Sequence, residues 1–113
     1  MVKKVLIFDD NSKVIENQLK IIETISLTIV ESEPNVEEIL EKKPDLIIIN
    51  QDIAQNGVRE IFHQPNPLPV ILITENGPEK QSFEAWSNPA HIVKQGDWDH
   101  LKLTVKEVLN FFD

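Results

Sequence analysis

The chain has 113 residues, a mass of 13.0 kDa, a formal charge of -8 at pH 7 and a pI near 4.8. This length suits one domain, spanning residues 1–113, that buries roughly two-thirds of its unfolded surface. The acidic charge argues against nucleic acid or an anionic membrane as the partner, because their phosphates would repel it. The chain has no cysteine for disulfides or thiolate metal sites, and no apolar run suits a signal peptide or a membrane span. We therefore expect a soluble, cytoplasmic protein.

Five short apolar runs, rich in branched residues, alternate with longer segments of helical period. The runs are residues 5–8, 27–30, 46–49, 70–73 and the weaker 92–93. Nearly continuous apolar runs of this length are typical of parallel strands that are buried on both faces. The sequence therefore predicts a parallel sheet that is covered on both sides.

The segments between these runs carry the signs of helices. The first helix follows the first strand, and its apolar stripe consists of Ile15, Leu19 and Ile22. The second is predicted to follow Asn35, where Glu38 completes a variant of the capping box. Its inner face is predicted to consist of Val36, Ile39 and Leu40.

Three further helices complete the pattern. Asn56 caps a third, Pro78 suits the first turn of a fourth, and Asp97 caps the last. The predicted stripe of the last helix consists of Leu101, Val105, Val108 and Phe112. An alternating order of five strands and five helices, with right-handed crossovers, is a single doubly wound, three-layer α/β domain.

In such a sheet, ligands bind beyond the carboxyl ends of the strands, where the strand order reverses. The polar residues just past the predicted strands are Asp9, Asp10, Asn50, Asp52, Thr74 and Lys94. A single acid at a strand end is more often a solvated or helix-capping residue. Polar groups at the right ends of four strands are harder to explain by chance, and together they predict a site.

The sequence around these residues resembles that of response-regulator receiver domains. "VLIFDDN" looks like their first strand and acid pair, and "PDLIII" like the third strand that leads to the phosphoacceptor. "PVILIT" looks like the fourth strand with its switch Thr or Ser, and "HIVK" like the fifth with its Lys. The resemblance extends from Lys3 to Phe112. It implies a flavodoxin-like, five-stranded sheet with strand order 2-1-3-4-5 and a role in two-component, or phosphorelay, signalling.

The resemblance also assigns roles to the residues at the strand ends. In the family the acid pair, here Asp9 and Asp10, binds Mg²⁺ together with the phosphoacceptor and a backbone carbonyl, here that of Asp52. Thr74 matches the hydroxyl that turns toward the phosphoryl group, and Lys94 matches the amine that pairs with it. These assignments imply an acidic pocket that could hold Mg²⁺.

Asn50 falls where the family has its phosphorylated Asp. An acyl phosphate forms on a carboxylate oxygen, whereas a carboxamide is neutral and poorly nucleophilic. We therefore expect an atypical, degenerate receiver that is not phosphorylated at the usual position and that binds Mg²⁺ weakly. Asp52 is the obvious substitute because side chains alternate along a strand, but the chain should have left the strand there.

Other positions depart from the family pattern in the same direction. The loop "QDIAQNG" lacks the usual proline and is one residue short, and Gln95 replaces the proline that commonly follows the Lys. An engineered change of Asp to Asn would explain Asn50 but not these departures. His91 lies where the family commonly has a Tyr or Phe that swings inward on activation. A half-buried histidine with no special role fits that position equally well.

Three hypotheses follow. The first is a non-enzymatic receiver that acts through a protein partner, such as a histidine kinase, an output domain or another signalling protein, with a homodimer left open. By family analogy its surface comprises the fourth helix, fifth strand and fifth helix, which carry Phe83, Trp86, His91 and Trp98. The second is a working receiver that is phosphorylated at Asp52 or a nearby acid. The third is a small flavodoxin-like ligand-binding protein or enzyme, which the acidic loop "DDNSK" disfavours because it would repel a phosphate.

Overall fold

A computed structural model gives the fold of the chain. It describes residues 2–9, 11–22, 24–30, 36–50, 69–75 and 90–109. The predicted helices that begin at Asn56 and Pro78 lie outside these residues.

Five strands are described, and together they form one parallel sheet. They are β1 (Lys3–Phe8), β2 (Ile25–Ile29), β3 (Leu46–Asn50), β4 (Val70–Thr74) and β5 (Ala90–Lys94). Their order in the sheet is β2-β1-β3-β4-β5, and each pair of neighbours is parallel. This confirms the predicted sheet and its strand order. β2 starts earlier and β5 is longer than predicted, because the polar side chains of Ser26 and His91 interrupt the apolar runs.

Three helices are described, namely α1 (Ser12–Leu19), α2 (Val36–Lys42) and α3 (Trp98–Leu109). α1 links β1 to β2, whereas α2 links β2 to β3 and so crosses the sheet in the opposite direction. Right-handed crossovers therefore place these two helices on opposite faces. α3 contacts α1 and shares its face, which gives the three predicted layers. Within the described ranges, no helix combines the length and apolarity that crossing a membrane requires.

The core is centred on the three inner strands. In β1, β3 and β4 the apolar residues 5–8, 46–49 and 70–73 are each exposed by 2% or less. β2 differs, because most of its residues are only half-buried and Ser26 is exposed. The prediction that every strand is buried on both faces is therefore wrong for β2. The physical reason is its place at the edge of the sheet, where one flank has no neighbouring strand among the described residues.

The helices contribute their predicted stripes with a few differences. Ile15 and Leu19 of α1 are buried, and Ile22 is buried although the helix ends before it. In α2 only Ile39 fulfils the predicted inner face among the residues whose burial is described. Leu40 is exposed by 37%, so its assignment to that face is wrong. Leu40 follows Ile39 by one residue, so its side chain is rotated around the helix axis to the border between the buried and the exposed face.

The last helix shows a similar shift of one residue. Leu101 and Val105 are buried as predicted, but Leu109 is more deeply buried than Val108, which is only half-buried against the core. Phe112 lies outside the described residues. The apolar stripe of α3 is therefore confirmed in its first two turns.

Hydrogen bonds at the amino ends of β1 and β3 fix how these two strands align. The N–H of Lys4 donates to Oδ2 of Asp45 at 2.8 Å, and the N–H of Asp45 donates to the carbonyl of Lys4 at 2.7 Å. Lys4 Nζ also donates to the carbonyl of Lys42, the last residue of α2, at 2.8 Å. These contacts hold the register in which Phe8 pairs with Ile49. They thereby determine which residues meet at the opposite, carboxyl end.

Asp97 caps α3, as predicted. Its Oδ1 accepts the N–H of His100 at 3.1 Å. The substitution Asp97→Ala removes this acceptor, so we expect the free energy of unfolding to fall by about 1 kcal/mol. Urea unfolding followed by circular dichroism measures the change. Asp99→Ala is the matched control, because Asp99 is 99% exposed and forms only a 3.6 Å ion pair with Lys102. Equal losses in the two variants would contradict the capping role.

Candidate functional site

The carboxyl ends of four strands bring polar residues to one end of the sheet. Phe8 pairs with Ile49, so the next residue, Asp9, comes level with Asn50. Asn50 is the last residue of β3, and Thr74 and Lys94 are the last residues of β4 and β5. The sequence placed these four residues at the strand ends, and the structure brings them to the same end of the sheet.

Asp9 lies at the turn from β1 into α1 and is half-buried. Its Oδ1 accepts the N–H of Asn11 at 2.7 Å, and its backbone carbonyl accepts the N–H of Ser12 at 3.1 Å. A carboxylate that accepts the N–H two residues on forms an Asx-turn, which here fixes the side chain at the carboxyl end of β1. This bond was not predicted from the sequence, although the spacing of Asp9 and Asn11 is typical of it.

The same contact affects how the start of α1 could bind an anion. Phosphate sites at helix starts depend on N–H groups that point at the ligand. Here the N–H of Asn11 already has the carboxylate of Asp9 as its acceptor, and that carboxylate carries a negative charge. The structure therefore supports the prediction that this loop disfavours a phosphate-bearing flavin or nucleotide.

Asn50 follows the most deeply buried run of the sheet. Residues 46–49 are completely buried, and Asn50 is the half-buried residue at which the strand emerges. It pairs in register with Ile73 of β4. The backbone of Asn50 is therefore held in the sheet, and this fixes the position of its carboxamide at the end of β3. The described part of β3 extends to Asn50, and the expectation that Asp52 follows the strand falls on residues outside the described ranges.

Thr74 and Lys94 are cross-strand neighbours on β4 and β5. Thr74 is buried, whereas Lys94 is exposed. Residues that pair in register direct their side chains to the same face of a parallel sheet. The hydroxyl of Thr74 and the flexible cation of Lys94 therefore lie side by side. Thr74 follows Ile73, the residue that pairs with Asn50, so this pair lies one residue further along the strands than Asn50.

The turn after Lys94 fixes the backbone of both residues. The N–H of Gln95 donates to the carbonyl of Thr74 at 2.7 Å, and the N–H of Asp97 donates to the carbonyl of Lys94 at 3.1 Å. Gly96 has a φ of 90°, in the region that favours glycine, and so reverses the chain into α3. The bond from Gln95 is one that a proline could not make, because proline has no N–H.

His91 does not belong to this group of residues. It is the second residue of β5, pairs with Ile71 and is exposed. It lies three residues before Lys94, which corresponds to about 10 Å along a strand. Its odd spacing from Lys94 also directs its side chain to the opposite face. The alternative of a half-buried histidine at this position is wrong in its burial, because His91 is exposed on a strand at the edge of the described sheet.

Two predicted members of the pocket, Asp10 and Asp52, lie outside the described residues. Within the described part of the chain, no group of three or more His, Cys, Asp or Glu side chains could hold a metal ion. Asp9 contributes one carboxylate, whose Oδ2 has no hydrogen-bond partner among the described residues. Asn50 could contribute only a neutral carbonyl oxygen. This donor set fits Mg²⁺, which prefers oxygen ligands, but supplies little of the negative charge that would bind it tightly.

Comparison with solved structures places this arrangement among known folds. A response regulator receiver protein from Burkholderia phymatum has a TM-score of 0.71 and 21% identity, over 96% of this chain and 95% of the other. A response regulator from Thermotoga maritima has a TM-score of 0.72 and 16% identity, over 97% and 99% of the two chains. The chain has the receiver fold. No protein-family model matches the sequence, and no curated protein matches it.

A third structure with the receiver fold includes a metal ion. It is the receiver domain of a sensor histidine kinase from Pseudomonas aeruginosa, with a TM-score of 0.72 and 18% identity over 97% of this chain and 99% of the other. That protein has a magnesium ion coordinated in its active-site cleft. The strand-end residues of the present chain occupy the end of the sheet at which doubly wound folds generally bind their ligands.

Proposed function

We propose that the chain, over residues 1–113, is an atypical receiver domain of a two-component system that signals through protein contacts without phosphorylation at Asn50. The observation that carries this proposal is the position of Asn50. It ends the central, fully buried strand β3, between Asp9 on one side and the Thr74–Lys94 pair on the other. A receiver fold with these neighbours has the parts of a phosphoacceptor site except its nucleophile.

The chemistry of the amide supports the unphosphorylated state. An acyl phosphate forms only on a carboxylate oxygen, and the carboxamide of Asn50 is neutral and poorly nucleophilic. Its oxygen could still accept a hydrogen bond or contact a cation. Asn50 therefore keeps a polar group at the end of β3 but does not provide the carboxylate that would accept a phosphoryl group.

The same change reduces the affinity expected for Mg²⁺. The residues that would hold the ion are Asp9, Asp10 and the backbone carbonyl of Asp52, with Asn50 in place of a third carboxylate. When bound, the ion would neutralise negative charge in the pocket. The site has lost one of its negative charges, so we propose weak binding and a domain whose function does not depend on the ion.

The proposed partners are proteins, such as a histidine kinase, an output domain or another signalling protein of the cytoplasm. The domain would then be a binding module and not an enzyme. Part of the surface proposed from family analogy, Phe83 and Trp86, lies outside the described residues. Of the rest, His91 is exposed, and Trp98 is half-buried against the core. His91 is thus the better candidate for a contact with a partner, and Trp98 is mainly structural.

A direct test uses the wild-type chain. Incubation with acetyl phosphate and Mg²⁺, or with a histidine kinase, is expected to leave its intact mass unchanged. A gain of one phosphoryl group that peptide mapping assigns to Asp52 would overturn the unphosphorylated state but leave the receiver role in place. A protein that is yellow when purified would instead indicate a bound flavin and contradict the receiver role itself.

A further inference from the structure

The open edge of the sheet at β2 has backbone groups directed away from the protein. The carbonyl of Thr24 accepts the N–H of Lys3 at 2.9 Å, and the N–H of Val30 donates to the carbonyl of Ile7 at 2.9 Å. Backbone groups of successive residues in a strand point to alternate sides. The even-numbered residues 24–30 therefore face β1. The N–H and C=O groups of Ile25, Leu27 and Ile29 face the open side, and no described strand lies beyond them.

Within residues 24–30 this edge lacks the features that usually prevent strands from pairing with other chains. Natural edge strands are commonly protected by charged side chains, proline or a bulge. Residues 24–30, "TISLTIV", contain no charge, no proline and no glycine. The opposite edge is better protected. β5 ends at the charged Lys94, whose carbonyl already accepts the N–H of Asp97 at 3.1 Å.

The β2 sequence is also nearly symmetric about its central residue. Ile25 and Ile29 lie at equal distances on either side of Leu27, as do the hydroxyl residues Ser26 and Thr28. We propose that two copies of the chain pair antiparallel through β2, with Leu27 at the two-fold axis. Ile25 of each copy then pairs with Ile29 of the other, and Ser26 pairs with Thr28. Such pairing forms about six backbone hydrogen bonds and sets branched apolar side chains opposite each other.

Charge explains why a second copy would bind at this edge and not elsewhere. Each chain has a formal charge of -8, so most surfaces of two copies repel each other. Residues 24–30 are an uncharged stretch long enough to form a whole strand.

The pairing is weak and strengthens with salt. Two short strands bury less than the roughly 1,200 Å² of stable interfaces, so we expect a dissociation constant on the order of 10–1,000 μM. In sequence, Glu23 and Glu31 flank the strand, and pairing about Leu27 matches one with the other. Added salt screens this repulsion and that between the two net charges. Sedimentation velocity over this concentration range, at low and high NaCl, measures both effects.

Two matched variants test the surface. Ser26→Glu adds a charge at an exposed residue of β2 and is expected to weaken association at least about tenfold. Leu103→Glu adds the same charge at an exposed residue of α3 and is expected to change it by less than about threefold. Both residues are exposed, so both variants should fold. A larger effect of Leu103→Glu would overturn the proposed surface.

A third variant tests the backbone pairing. The N–H of Ile25 faces the open edge, so Ile25→Pro removes an intermolecular donor without removing a hydrogen bond to β1. Circular dichroism checks that the variant is folded, and its association is expected to weaken at least about tenfold. A wild-type chain that stays monomeric at the highest concentration and salt would overturn the proposal. So would association that survives both Ser26→Glu and Ile25→Pro.

Discussion

Asn50→Asp is expected to give a chain that gains one phosphoryl group from acetyl phosphate in the presence of Mg²⁺. The substitution places a carboxylate oxygen at the end of β3. Attack of this oxygen on phosphorus forms the acyl phosphate and releases acetate. Thr74 and Lys94 lie on the adjoining strand ends, where a hydroxyl and a cation suit a phosphoryl group. Intact mass spectrometry measures the gain, and hydroxylamine, which attacks the acyl carbon of an acyl phosphate, should release phosphate and leave a hydroxamate at position 50.

The same substitution should also tighten Mg²⁺ binding. Asp9 has one carboxylate oxygen committed to the N–H of Asn11, so the present site depends on few anionic donors. A further carboxylate at position 50 adds a full negative charge at the same end of the sheet. We expect the affinity measured by isothermal titration calorimetry to rise roughly 10- to 100-fold, the size of effect seen when a metal site loses or gains a supporting group.

Asn11→Asp is the matched control for both measurements. Asn11 is exposed at the start of α1, so this variant adds the same charge near Asp9 but not at the end of β3. It is expected to stay unphosphorylated. If Asn50→Asp were also inert, the missing carboxylate alone would not explain the proposed absence of phosphorylation. The hydrogen bond from Gln95 to Thr74 would then be the next feature to change, through Gln95→Pro.

The placement of three candidate site residues at strand ends could be predicted from the sequence because each follows a continuous apolar run. Asn50, Thr74 and Lys94 each follow such a run, and each proves to be the last residue of its strand. In a parallel sheet the carboxyl ends of all strands lie at one edge. Chain order and periodicity were therefore sufficient to predict that these residues share one end of the sheet.

Other features of the site could not be predicted in this way. Gln95 was interpreted only as the loss of a family proline, whereas its N–H bonds to the carbonyl of Thr74. Such backbone hydrogen bonds depend on where two distant segments of the chain meet. The pattern of side chains in the sequence does not predict them. The burial of Ile22 also depends on tertiary packing. Ile22 lies beyond the end of α1 and is buried because the segment between α1 and β2 packs on the core.

The difference between central and edge strands was also not apparent from composition. β2 and β3 are both rich in isoleucine, but only β3 has strands on both flanks. Apolar side chains near an open edge keep part of their surface in water, so they contribute less to stability when they fold. Position in the sheet, and not residue type, determines that contribution.

Ile48→Ala is expected to destabilise the protein more than any other substitution considered above. Ile48 is completely buried in the middle of β3, among the apolar residues that α1 and α3 cover. Truncation removes its transfer free energy and leaves a cavity, at a cost of about 3–4 kcal/mol. Because domains of this size have about 5–15 kcal/mol of stability, much of the total would be lost. Urea unfolding followed by circular dichroism measures the change.

Ile92→Ala is the matched control, with the same change of side chain in the edge strand β5. Ile92 is only half-buried, so less surface returns to water and the space it leaves is open to solvent on one side. We expect its cost to be roughly half that of Ile48→Ala. Equal costs would contradict the view that β3 is the structural centre of the sheet. They would also weaken the argument that Asn50 is held at the end of the most deeply buried strand.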